Sequence, residues 1–171
     1  QRGSVLDTTM EVYESLFKVN FFGLIALTKA VLPQMLKQNS GHILVTSSLS
    51  GKLGTPLRSG YCASKHALHG FFDSLRAEMH AKNINVTMIC PGYINTDIAL
   101  SALNPDGSKY AKKDTNQLKG MSAETCASKI VDAVIKNKTE IYMGGKEVLG
   151  VYLKRFFPRI LNRILVNQIP K

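Results

Sequence analysis

Apolar residues along this chain follow two rhythms: helical spacing over long stretches, and short unbroken runs between them. From Val12 onward, apolar or small residues recur at Leu16, Val19, Phe22, Gly23, Ala26, Leu27, Ala30 and Val31. This periodicity predicts a helix continuing to Lys37. Asp7, Thr8 and Thr9 can cap it, Glu11 suits its first turn, and Asn39-Ser40-Gly41 ends it. The run His42 to Ser47 reads as a strand buried on both faces of a parallel sheet. A loop with Gly51, Gly54 and Pro56 leads to a second long helix over Gly60–Ala81, with Ala63, Ala67, Gly70, Phe71, Ser74, Leu75 and Glu78 as its periodic face. Val86 to Cys90 is the next strand, broken by Pro91-Gly92. Residues Leu100 to Lys119 hold the turn cluster Asn104 to Ser108 and several lysines, and look the least ordered. Ser122 caps a helix ending near Lys138, and Glu140 to Met143 is a last short strand.

Helices alternating with short apolar strands give an α/β fold around a parallel sheet, here of three strands. Beyond it, Val148 to Ile169 is amphipathic: Leu149, Leu153, Phe156, Phe157, Ile160, Leu161, Ile164 and Leu165 against Arg155, Arg159, Asn162 and Arg163. Pro158 should kink this tail. The chain thus divides into an α/β unit, 1–145, and a basic tail helix, 146–171. No unbroken apolar stretch of about 18 residues occurs, so no membrane span is expected.

The chemistry concentrates where the second helix begins. Tyr61 and Lys65 are four residues apart, one turn on one helix face. A phenol ordinarily loses its proton only near a pKa of about 10. A nearby ammonium should stabilise the phenolate and pull that value down. Ser48, thirteen residues before Tyr61, offers a hydroxyl for a substrate oxygen, with Ser47 beside it as the rival. Together these groups suit reduction of a carbonyl or oxidation of an alcohol. The pair alone is a weak signal, because Tyr142 and Lys146 repeat its spacing across Gly144-Gly145, where a helix is not expected.

The combination is more specific. Asn20-Phe21-Phe22-Gly23, Ser48, Tyr61-Cys62-Ala63-Ser64-Lys65 and Cys90-Pro91-Gly92, in this order, resemble the short-chain dehydrogenase/reductase family from about Asp7 to Gly145. Tyr61 to Leu68 is similar in detail to its "dehydrogenase/reductase member 7" branch. The resemblance implies the C-terminal part of a Rossmann-like doubly wound sheet. It implies Asn20, Ser48, Tyr61 and Lys65 as catalytic residues, with Asn20 ordering a water that reaches Lys65. It also implies Tyr61, Lys65, Pro91, Gly92, Ile94 and Thr96 as contacts of a nicotinamide cofactor, NADP favoured over NAD. Residues 100–119 would be the lid over an alcohol or carbonyl substrate, and the two long helices would pair copies into a homodimer or homotetramer. Phe21, Leu24, Leu68 and Phe72 are the further apolar residues available for that pairing.

The family's glycine-rich dinucleotide loop is not in the sequence, and the first methionine is Met10. The chain therefore reads as the C-terminal part of a longer enzyme. Alone, it is expected to bind nicotinamide dinucleotide poorly and to leave the Ile43–Val45 strand at a sheet edge. The rival reading is a catalytically silent module working by interaction or at a membrane surface.

A net charge of +10, of which the last 26 residues carry +5, raises anionic partners. Solvated surface explains most such charge. No nucleic-acid-binding motif accompanies it. The tail reads first as a helix packed on its own domain or on a subunit, and its basic face opposite bulky apolar residues makes peripheral membrane contact the alternative. Cys62, Cys90 and Cys126 lack metal-ligand spacing, and no metal is expected. Three unpaired thiols suit a cytoplasmic setting, with membrane association through the tail. His42 and His80 have no carboxylate or cysteine partners in the sequence, and His66, on a different helix face from Lys65, should be exposed rather than catalytic.

Overall fold

The computed structural model describes residues 1–167. Its elements follow the order α1 (Met10–Phe17), a π-helical turn (Lys18–Phe22), α2 (Gly23–Lys37), β1 (Gly41–Thr46), α3 (Ser59–Met79), β2 (Ile84–Pro91), α4 (Thr115–Leu118), α5 (Ala123–Ile135), β3 (Glu140–Met143), α6 (Leu149–Phe156) and α7 (Pro158–Val166). The three strands form one parallel sheet in the order β1-β2-β3, with Ile43 opposite Val86 and Ile89 opposite Ile141. All three strands and four of the helices fall where the apolar pattern puts them, including Ser122, whose hydroxyl accepts from the Thr125 N–H at 3.2 Å to cap α5. The expected loop at 100–119 contains the short helix α4, capped by Asp114.

The faces differ from the sequence reading more than the elements do. The π-helical turn closes with the Gly23 N–H on the Lys18 carbonyl, five residues back rather than four. That turn inserts an extra residue and rotates everything beyond it. The stripe Val12–Leu16 therefore continues as Phe21, Leu24, Leu32 and Met35 against the core, while Val19, Phe22 and Leu27 turn outward. On α3 the core stripe is Leu68, Phe72 and Leu75, and Ala63, Gly70, Ser74 and Glu78 are exposed. Phe21, Leu24, Leu68 and Phe72 thus belong to the core rather than to a surface for pairing.

One core layer lies between α2, α3 and the sheet, built from Ile43, Val45, Leu68, Phe72, Leu75, Val86 and Met88. On the other face, Ile89, Met143 and Cys126 join α5 to the sheet, and Leu49, Leu53, Cys90, Val151 and Leu161 join α6 and α7. β2 is buried along both faces, but β1 is an edge strand whose alternate residues Leu44 and Thr46 are exposed. The expectation that β1 is covered on both faces therefore fails among the described residues.

The tail breaks at Phe157, and Pro158 opens α7, where its missing N–H costs nothing. Its apolar residues do not share one face: Val151 and Leu161 are buried, while Leu149, Phe156, Phe157, Ile160 and Ile164 are exposed. Ile169 and Lys171, the end of the expected tail helix, lie outside the described residues. The continuous helical stretch Met10–Lys37 has a mean hydropathy of 1.5 over its most apolar 18 residues. By length and composition it could cross a membrane, contrary to the sequence expectation.

Truncation separates the two kinds of apolar residue. Phe72→Ala empties a fully buried site and should cost about 3–5 kcal/mol in urea unfolding, whereas Phe22→Ala should change stability by less than about 0.5 kcal/mol. Equal effects would contradict the rotation of the helix past its π-helical turn.

Candidate active site

Two consecutive serines follow β1, and successive residues leaving a strand point to opposite sides. The Ser48 hydroxyl donates to the Pro91 carbonyl at 3.3 Å, accepts from the Ser50 N–H at 3.1 Å, and shares a cavity with Tyr61. Ser47 is turned away, donating to the Lys65 carbonyl at 3.2 Å and meeting His69 Nε2 at 3.0 Å. Of the two serines, Ser48 is the one beside Tyr61. Ser48, Tyr61 and Gly92 line a cavity of about 230 Å³ together with Arg58, Tyr93 and Glu147.

Tyr61 stands in the first turn of α3. The Gln1 side-chain carbonyl accepts from the N–H groups of Gly60 and Tyr61 at 3.0 and 3.4 Å, satisfying donors that a helix start leaves open. Asn20 lies in the π-helical turn, and its amide donates to Ser64 Oγ at 3.2 Å, which in turn donates to the Tyr61 carbonyl at 2.9 Å. Asn20 also shares a second cavity with Tyr61 and Arg58. It is therefore tied to the helix of Tyr61 rather than being a free surface residue.

Burial raises the Tyr61 phenol above its ordinary pKa. The nearby Ser48 hydroxyl and the Arg58 and Arg2 guanidiniums pull against this without cancelling it. The depression expected from Lys65 is not found, and burial decides the direction. Lys65 Nζ donates to the Thr46 carbonyl at 2.8 Å and lies 5.9 Å from the centre of the Tyr61 ring. Burial holds Lys65 itself down to about 8. Arg58 and Arg2 share one oxygen of Asp114, at 3.1 and 2.8 Å.

The Pro91–Gly92 turn is clamped from two directions. The Gly92 N–H donates to the Met143 carbonyl at 2.6 Å, and the Tyr93 N–H donates to Glu147 Oε1 at 3.1 Å. A side chain at residue 92 would displace the Glu147 carboxylate from the Tyr93 N–H, so glycine permits this close approach. Burial raises the Glu147 carboxyl, but its backbone hydrogen bonds together outweigh burial and leave it below the usual range. Ile94 packs toward Met121, Ile89 and Cys126, and pairs with Met121 in a parallel bridge. Thr96 is exposed and lines a separate small cavity with Asp97 and Lys113. The structure thus gathers Asn20, Ser48, Tyr61, Lys65, Pro91 and Gly92, and sets Ile94 and Thr96 outside that group.

Three participants went unnoticed in the sequence: Arg58, Glu147 and His69. His69 follows Lys65 by one helical turn, which is the only local signal it gives. His69, Cys90 and Glu140 bring donor atoms within 4.8 Å of one another despite having no ligand spacing. Their chemistry is that of a hydrogen-bonded network. Burial, then the Lys52 ammonium, hold the imidazole down to about 4, against the pull of Glu140. Burial and Glu140 push the Cys90 thiol up to about 12. Lys52 Nζ already occupies Glu140 Oε2 at 2.8 Å. With Ser47 donating to Lys65, His69 Nε2 is left to donate to Ser47, and Nδ1 has no hydrogen-bond partner among the described residues.

Residues 1–106 match the family model described as short chain dehydrogenase. The chain is 43% identical over 171 residues to the "Dehydrogenase/reductase SDR family member 7B" of Rattus norvegicus, covering 99% of this chain and 53% of that protein. It spans about half the length of the curated relatives it matches. Among solved structures it resembles a short chain dehydrogenase from Burkholderia cenocepacia in complex with NADP, with a TM-score of 0.79, 20% identity, and coverage of 99% of this chain and 65% of that one. It also resembles a short chain dehydrogenase/reductase from Burkholderia phymatum in complex with NAD, with a TM-score of 0.76, 22% identity, and coverage of 92% and 62%. At these identities the two structures establish the fold alone. The relatives do not favour the rival reading of a silent module.

The neutral His69 makes stability depend on pH. Its pKa falls from 6.5 to about 4 on folding, so the unfolded chain takes up the proton first as pH drops. The stability contributed is present above the unfolded value and is lost as pH falls through the folded one. His69→Gln keeps a donor for Ser47 and removes the titration. Its melting temperature should fall less than the parent's between a pH of about 7 and about 4.5. An equal fall in both proteins would count against a neutral, buried imidazole.

Proposed function

The chain belongs to the short-chain dehydrogenase family, and on that premise we propose that the protein is an NAD(P)-dependent oxidoreductase acting on an alcohol/carbonyl pair. The observation that carries this reading is the meeting of Ser48 and Tyr61 at one cavity beside the Pro91–Gly92 turn. In reduction, the Ser48 hydroxyl holds the carbonyl oxygen and Tyr61 Oη delivers its proton to that oxygen. In oxidation, the phenolate takes the proton back. A raised pKa keeps Tyr61 protonated at neutral pH, which suits the reducing direction. Lys65 anchors the helix start to the end of β1 and brings a positive charge over the Tyr61 ring. Asn20, through Ser64, fixes the backbone of Tyr61 and is assigned to order a water leading to Lys65.

The donors present fit the nicotinamide–ribose end of a dinucleotide: a phenol, an ammonium and a turn kept free of side chain at Gly92. When bound, the nicotinamide supplies or accepts the hydride. We assign Tyr61, Lys65, Pro91 and Gly92 to that contact, and Ile94 and Thr96, which stand apart from the cavity of Tyr61, to the segment that would have to move to join it, with NADP favoured over NAD; one Burkholderia neighbour carries each. Residues 100–119 are assigned to the substrate lid, from which Gln117 brings a buried, unpartnered carbonyl oxygen to the cavity. The exposed apolar residues Val19, Phe22 and Leu27 suit pairing with a second copy, giving a homodimer or homotetramer.

Tyr61→Phe removes the proton donor and should lower carbonyl-reductase turnover of the full-length protein by about 10²–10⁴-fold with the fold intact. Near-normal turnover in that variant would sink the assignment. The kcat/KM for alcohol oxidation should climb with pH through a range in which carbonyl reduction stays flat; parallel profiles would argue against Tyr61 as the shared acid and base. Phe22→Glu together with Leu27→Glu should shift the light-scattering mass to that of a monomer, and an unchanged mass would exclude this face from the interface.

A further inference from the structure

We propose that α6 and α7 form a docking surface for an anionic lipid bilayer, with an apolar row entering the interface and an arginine row beside it. Residues two to four positions apart on α7 fall into three rows. Leu161 and Leu165 face inward, packing with Val151 against Leu49 and Leu53. Ile160 and Ile164, one turn apart, face outward at 48% and 43% exposure. Arg159 and Arg163, also one turn apart, flank them and are exposed, and the exposed Arg155 stands in the last turn of α6, before the break at Phe157. At the junction of the helices, Phe156 and Phe157 extend the apolar row at 67% and 58% exposure. Some of the tail's apolar residues are thus spent on the domain, while Phe156, Phe157, Ile160 and Ile164 are left facing outward.

The charge pattern selects the occupant. Lys154, Arg155, Arg159 and Arg163 face no acidic residue anywhere in 148–167, and none makes an ion pair among the described residues. A second copy seated on the same surface would set like charges against one another at a two-fold contact. A bilayer with anionic headgroups satisfies both rows at once. Phenylalanine and isoleucine enter the acyl boundary while the long arginine stems let their guanidiniums rise to the phosphates. Each such cation near an anionic surface adds attraction that weakens with salt. The inward row of these helices packs on Leu49 and Leu53, which line the cavity of Ser48 and Tyr61, so the docked surface lies one layer from that cavity. The proposal stands independently of the oxidoreductase reading.

The sequence has no tryptophan, so Phe157→Trp places a single reporter in the apolar row. Vesicles of phosphatidylcholine and phosphatidylserine in equal parts should shift its emission to the blue, and brominated acyl chains should quench it. Phosphatidylcholine alone should do so far less, and added salt should reverse the shift. In the reporter background, the triple variant R155Q/R159Q/R163Q should partition on the order of a hundredfold more weakly, with unchanged circular dichroism. No lipid-dependent shift at low salt, or equal partitioning into both vesicles, would overturn the proposal. So would a shift that follows protein concentration without lipid, which would instead identify a second copy as the occupant.

Discussion

Helix α3 is locked against the sheet by Leu68, Phe72 and Leu75, and that contact fixes more than a core. Read backward along the same stripe, the spacing of four and three residues continues to Lys65 and Tyr61. The core contacts therefore set the rotation of the helix, and the rotation sets where the phenol and ammonium point. Where β1 ends, the stripe runs past the sheet, and its next members meet the Thr46 carbonyl and the Ser48 hydroxyl instead of apolar partners. Any loosening at Leu68 or Phe72 would be transmitted to the site as a change in helix angle, because packed interiors shift rather than flow.

Burial governs the electrostatics on both sides of β1's end. Toward the cavity it raises the phenol and lowers the ammonium, so Lys65 falls below Tyr61 in pKa. Toward the interior it keeps His69 and Cys90 uncharged. The two networks are joined through consecutive serines and through the backbone of Lys65, which Ser47 holds by its carbonyl. The buried imidazole is thus part of the support under the lysine.

The apolar surface left outside the core is patterned rather than scattered. One set, Val19, Phe22 and Leu27, is turned outward by the π-helical turn that also carries Asn20. Another follows α7 between an arginine row and the leucines that pack inward. In both places the cause is helix phase. A residue's apolarity says that it avoids water, whereas its angle around the axis says which neighbour removes it from water.

Much was already determined by the sequence: three strands, the long helices with their ends, the break at Pro158, and the placing of Tyr61 and Lys65 on one helix face. These follow from local constraints that neighbouring residues impose on the backbone. Membership of a family could be read because Asn20, Ser48, Tyr61, Lys65 and Pro91-Gly92 keep an order and spacing. Only the tertiary structure decided which serine meets the phenol, since the two differ by one residue at a strand end. It also brought His69 to Glu140 and Gly92 to Glu147, pairs separated by 71 and 55 positions in the sequence. The rotation of α2 was hidden because one extra residue in a π-helical turn changes phase without changing composition. The pKa of Tyr61 was misjudged for the related reason that proximity along a helix does not say how much water a group loses.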